Sequence, residues 1–118
     1  MSTLVEDVQA LLVTLNPAGG VWYAVNTKQQ AVYPYVVWQR IVSVPNVALS
    51  GPSALQNTRI QIDIYARQVS DLVSMETSLE AAWAAALISN VPLGSQDVYE
   101  DDVKAYRSIK DYSIWASN

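Results

Sequence analysis

Cysteine and histidine are both absent from the 118 residues of this chain. Their absence excludes disulfides, a thiol nucleophile, a Ser-His-Asp triad and any Cys/His zinc site. It also removes the only side chain whose unperturbed pKa lies near neutrality, and leaves the redox compartment unreadable. Basic residues are few: seven Lys and Arg stand against eleven Asp and Glu, for a net charge of −4. They form no basic patch, which argues against a general nucleic-acid binder. The four glycines make no phosphate-binding loop, since neither Gly19-Gly20 nor Gly51 sits in a G-x-G-x-x-G or Walker pattern. Apolar runs are too short and interrupted to span a bilayer, so no membrane contact is expected. The N-terminus carries Glu6 and Asp7 where a signal peptide needs a basic region.

A hydrophobic share of 51% with 15% charged residues describes a folding chain. A length of 118 residues fits one domain, taken as 1–118. The apolar share is high for so small a unit. It implies either a dense core or apolar surface left for a partner.

Thr3 and Glu6 match a T-x-x-E capping box, and Leu4, Val8, Leu11, Leu12 and Leu15 then form one helical stripe. Asn16-Pro17 and Gly19-Gly20 end that helix. Val21–Val25 and Val36–Val44 have strand character, the second as a mostly buried strand, and Pro45–Asn57 reads as a long loop. A second helix starts at Ser70-Asp71, with Leu72, Met75, Leu79, Ala82, Trp83 and Ala86 in a stripe. It stops at Ser89-Asn90 and Pro92, and Leu93-Gly94-Ser95 turns the chain. Asp97–Val103 and Tyr106–Trp115 read as a closing hairpin. The expected fold is α+β: a mostly antiparallel sheet of four to five strands with two helices packed on one face.

Thr58–Arg67 is the most informative strand. Ile60, Ile62 and Ile64 alternate with Arg59, Gln61, Asp63, Tyr65 and Arg67, the pattern of a sheet with one face on a core and one facing out. Tyrosine and arginine are enriched at protein interfaces, so the polar side is a candidate contact surface. The expected interface set, for subunit or tube contact, is Arg40, Arg59, Gln61, Asp63, Tyr65 and Arg67. Catalysis finds little support. Asp63 sits among arginines that would favour its charged form, the wrong bias for a general acid, and pairing with an arginine on a neighbouring strand is the expectation. The acidic run Asp97, Glu100, Asp101, Asp102 lacks calcium-loop spacing and reads as a solvated turn or hairpin edge. No cofactor or metal is expected. Trp22, Trp38, Trp83 and Trp115 serve as core or interface anchors.

The run from Pro34 to Tyr65 contains Trp38-Gln39-Arg40, the segment after Pro45 and the strand Arg59–Tyr65. It resembles the tail-completion or tail-terminator proteins of long-tailed bacteriophages and gene-transfer particles. The resemblance covers nearly the whole chain and implies a structural virion protein, with no enzyme activity. It implies a homo-oligomeric ring, typically hexameric, assembled in the host cytoplasm on the head-proximal end of the tail. Its partners would be the tail-tube protein and the head-tail connector protein, with DNA passing through the lumen without specific binding. A ring of acidic chains suits that passage, because phosphate contacts are made mainly by Lys and Arg. Two rivals stay open: another neck or head-closure adaptor ring, and a small soluble protein-binding module.

Overall fold

The computed structural model describes residues 4–27, 31–48, 51–86 and 89–117. The element order is α1 (Leu4–Val13), β1 (Val21–Tyr23), β2 (Tyr35–Ala48), β3 (Gly51–Ala66), α2 (Val69–Ala85), β4 (Ser89–Glu100) and β5 (Ala105–Ser117). The strands form one sheet in the order β1-β2-β3-β5-β4. Only the β1–β2 pairing is parallel; the other three are antiparallel. β3 and β4 therefore run the same way with β5 between them, and α2 makes the crossover, a split βαβ arrangement. The expected α+β class, the mostly antiparallel sheet and the two helices on one face all hold.

Period-two patterning explains the core. Ile60, Ile62, Ile64 and Ala66 of β3 are fully buried on one face, beside Val36 and Trp38 of β2 and Tyr112 and Ile114 of β5. Both helices cover that face. Val8 and Leu12 of α1, and Leu72, Met75, Leu79 and Trp83 of α2, join the same hydrophobic cluster. Each such side chain contributes about 1.5 to 3 kcal/mol when fully removed from water. Leu11 and Leu15 pack at its margin, as their place on the predicted stripe requires.

Local signals at the helix ends fared unevenly. Thr3 lies outside the described residues. After α1, Asn16 takes a left-handed φ of 52° and Gly20 a φ of 85°, conformations that asparagine and glycine adopt at least cost. Gly19 is packed so closely that an added Cβ would collide with the carbonyl of Val32. α2 begins at Val69 with Gln68 as its N-cap and no side-chain cap bond, so Ser70 is already inside the first turn. Asp71 keeps its expected place near the positive end of the helix dipole.

Two expected irregular stretches are instead strands. Most of Pro45–Asn57 belongs to a long hairpin: β2 runs on to Ala48, β3 starts at Gly51, and residues 49 and 50 lie outside the described ones. Proline is tolerated there because the strands have free edges. β1 flanks β2 only at Val36–Trp38, and β5 flanks β3 only from Leu55 onward, so neither Pro45 nor Pro52 removes a hydrogen bond from a central ladder. Likewise β4 begins at Ser89, where a helix stop and a turn were expected, and absorbs Pro92 and Gly94 at a register shift on the sheet edge. Within the expected buried strand Val36–Val44, Val36 and Trp38 are indeed fully buried. Gln39, Arg40 and Ile41 are exposed, and Ile41 is skipped in the register between Arg40 and Val42. Sixteen residues of β3 at about 3.3 Å each span about 53 Å, which accounts for a molecule 52 Å long and 26 by 25 Å across.

Candidate assembly interface

The face of the sheet opposite the helices carries no helix among the described residues, and it is polar. Gln61, Asp63 and Tyr65 lie on it together, as the alternation of β3 requires. Register adds Tyr35, Val37 and Gln39 from β2, and Arg107, Ile109 and Asp111 from β5. All of these except Ile109 and Asp111, with Ala24, Val25 and Asn26 at one side, border a cleft of about 290 Å³ whose polar groups include Gln61, Asp63 and Arg107.

Asp63 organises the cleft. It is only 7% exposed; Arg107 Nη2 donates to its Oδ2 at 2.8 Å, and Gln61 Nε2 lies 3.1 Å from both carboxylate oxygens. The same guanidinium sends Nη1 to Glu100 Oε1 at 3.2 Å, so Arg107 forks between two acids. Burial works to lower the Arg107 pKa. The hydrogen bond and charge of Asp63, then the bond to Glu100, outweigh it and raise the pKa, holding the cation charged. Above this network Tyr35 and Tyr65 stack with centroids 4.7 Å apart, and Arg107 lies 5.5 Å from the Tyr65 centroid. Burial is the leading cause raising both tyrosine pKa values. The pairing of Asp63 with an arginine on a neighbouring strand is as expected, but Arg107 was absent from the expected set. Its signal was the polar alternation of β5, legible only once β5 is known to pair with β3.

The other predicted residues are scattered. Arg59 is exposed on the same strand. Arg67, just past β3, lies over the Tyr33 ring at 4.4 Å and donates to the carbonyls of Val103 and Lys104 at 3.4 Å, tying down the β4–β5 turn. Arg40 stands opposite Ile60, so the pleat puts it on the helix side. There its Nε and backbone N–H donate to the Tyr23 hydroxyl at 3.4 Å. Burial raises the Tyr23 pKa, yet the bonds and charge of Arg40 outweigh it and leave the hydroxyl below the usual range. Of the expected acidic run, Asp101 and Asp102 occupy the exposed β4–β5 turn, and Glu100 is drawn into the arginine network.

On the helix side two adjoining hollows, about 530 and 390 Å³, form a groove between α2 and β4 that shares Glu80, Pro92 and Tyr112. Trp83 and Tyr112 pack at its base with centroids 5.1 Å apart. Lys110 lies beneath α2, 3.5 Å from Glu76 Oε2 and 3.0 Å from Ser95 Oγ. Trp38 and Trp83 are buried core members, whereas Trp115 is exposed, so the four tryptophans divide between core and surface. Burial, then the charges of Glu80 and Glu76, push the Tyr112 pKa from 10.0 up to about 12. Below pH 10 both folded and unfolded chains hold this proton. Between 10 and about 12 the unfolded chain releases it first, so stability should fall as pH rises. The loss should come to about 2 to 3 kcal/mol, since the difference in proton affinity is about hundredfold and each tenfold is worth about 1.4 kcal/mol. Urea midpoints across that range should fall less steeply in Tyr112→Phe than in the unaltered chain.

Comparison with known proteins decides what kind of molecule carries these surfaces. Residues 6–117 match the family described as tail completion protein gp17. The chain belongs to that family. No curated protein matches it. Among solved structures, a chain from the virion of the native gene transfer agent particle matches with a TM-score of 0.67 at 12% identity, covering 100% of both chains. That likeness establishes a shared fold. This tail completion protein is a structural protein of the virion tail.

Proposed function

We propose that the protein ends the tail as a ring of identical copies, six by family resemblance, seated on the head-proximal end of the tail tube. The ring stops tube growth, offers its far side to the head connector and lets DNA pass through its lumen, with no catalytic step and no bound cofactor. The observation that carries this reading is the polar sheet face, which bears no helix among the described residues. A half-buried Asp63–Arg107–Glu100 network holds it rigid, with Arg59 exposed beside it. A pre-ordered polar surface is suited to meeting a second protein, because little side-chain freedom is lost on contact. Family membership supplies the tail context, and the acidic balance suits passage of DNA.

Arg59 offers the cleanest test, since reversal of Asp63 would break a buried ion pair and confuse folding with contact. Arg59→Glu should leave the unfolding free energy from urea titration within about 0.5 kcal/mol of the unaltered chain, as surface changes usually do. It should lower the yield of joined particles about tenfold, the equivalent of about 1.4 kcal/mol. Normal tails and titres from this variant would remove Arg59 from the contact. Electron microscopy of tails made without the protein tests the wider reading. Tubes of uncontrolled length are expected, whereas tubes of normal length that fail to join heads would assign it to the neck adaptors.

A further inference from the structure

Among the described residues the sheet has two open edges, and they lie at opposite ends of the strand order. One is β4, the last strand. The other is β2 above Trp38, since β1 covers only Val36–Trp38. Contact between unlike edges on successive copies is head-to-tail, the kind of interface from which closed rings are built. A rotation that preserves strand direction would set β4 antiparallel to β2, because three antiparallel steps separate them within the sheet.

The levels of the two edges also agree. Arg40 is in register with Ile60, Ile60 with Tyr112, and Tyr112 with Pro92. Arg40 therefore stands on the helix side of one edge at the height of Pro92 on the other. Pro92 and Tyr112 line the α2–β4 groove, and so does Glu80. Charge follows the same division. α2 contains Asp71, Glu76 and Glu80 with no basic residue, and among the described residues neither Glu80 nor Arg40 belongs to the ion pairs Asp63–Arg107, Glu100–Arg107 and Glu76–Lys110.

We infer that the α2–β4 groove of one copy receives the β2 edge of the next, with Arg40 set against Glu80. The occupant is a second copy of this chain, and the contact rests on the ring reading above while specifying which surfaces meet. Pro92 lacks an N–H and the register shifts beside it, so β4 offers an incomplete backbone ladder. Side chains then carry the contact: Arg40 on Glu80, and Ile41, 45% exposed, beside the exposed Leu93 that lines the groove.

The chain has no cysteine, so Arg40→Cys with Glu80→Cys leaves two thiols and a clean background. Treatment of tails carrying this double variant with a short bismaleimide should give a ladder of linked copies. A lone monomer band, in tails where an amine-reactive reagent still links the unaltered protein into oligomers, would overturn the edge contact and leave the ring standing. Loss of both ladders would overturn the ring and this contact together. Charge exchange gives an independent check: Arg40→Glu and Glu80→Arg should each lower particle yield about tenfold, as removal of one partner of a desolvated pair does, and their combination should recover most of the loss. A combination no better than the worse single change would rule out the pairing.

Discussion

Trp38→Ala is expected to be the most damaging single core substitution in this chain, lowering stability by about 3 to 5 kcal/mol. Trp38 has no exposed surface and joins three parts of the fold. Its ring meets Tyr23 edge-on at 4.8 Å beside β1, its Nε1 donates to Gln9 Oε1 of α1 at 2.7 Å, and it pairs in register with Ile62 of β3. Truncation opens a cavity between α1 and the sheet and leaves the Gln9 amide oxygen without this donor. A domain of this size has about 5 to 15 kcal/mol in all, so one change removes a large share. Trp38→Phe separates the two causes: it keeps most of the ring and loses the N–H, and should cost about 1 to 2 kcal/mol. Denaturant midpoints for both variants check the order. A Trp38→Ala protein within about 1 kcal/mol of the unaltered chain would mean that α1 contributes little to the core. Because β1 ends where the open part of β2 begins, loosening α1 should also blur the edge offered to the next copy.

How much of this was legible before the structure depends on the range of the interaction that decides each feature. Both helices and the core face of β3 follow from local periodicity: Val8 and Leu12, Leu72 to Trp83, and Ile60 to Ile64 repeat with the spacing of their own element, and burial followed. The arm of β2 and β3 reads as a loop in the sequence because Pro45, Asn46, Gly51 and Pro52 are turn formers. They are tolerated in strands here only because those stretches lie at free edges, a property of the whole sheet. β4 was shortened for the same reason at Pro92 and Gly94. The interface set shows the same limit. Asp63 was visible as a polar residue in an alternating strand, but its partner Arg107 lies 44 residues away. Arg40 shares the interface set with the polar residues of β3, and register puts it opposite Ile60, on the other face; a residue's face can be read within one strand but not across two.

The Asp63–Arg107 pair should show the largest effect among the polar residues. Asp63 is nearly buried, whereas Arg107 keeps 26% of its side chain exposed. Removing one partner of a buried pair typically costs about 3 to 5 kcal/mol, and the partial exposure of Arg107 lowers the expectation to about 2 to 3 kcal/mol for Arg107→Met. Asp63→Asn should cost less, because the amide keeps the shape and an acceptor, while Arg107 retains Glu100 at 3.2 Å. Arg107→Lys should fall between the unaltered chain and Arg107→Met, because an ammonium is a point charge that cannot fork between Asp63 and Glu100 as a guanidinium does. The double change Asp63→Asn with Arg107→Met should cost less than the sum of the singles by about 1 to 2 kcal/mol, since no charge is then stranded beneath Tyr65. Additivity within about 0.3 to 0.5 kcal/mol would show that the two side chains are neighbours without coupling. The cycle also bears on assembly. If the network's task is to hold the polar face rigid, the double variant should lose more particle yield than its reduced stability accounts for, because the surface presented to the partner would have lost its order along with its charges.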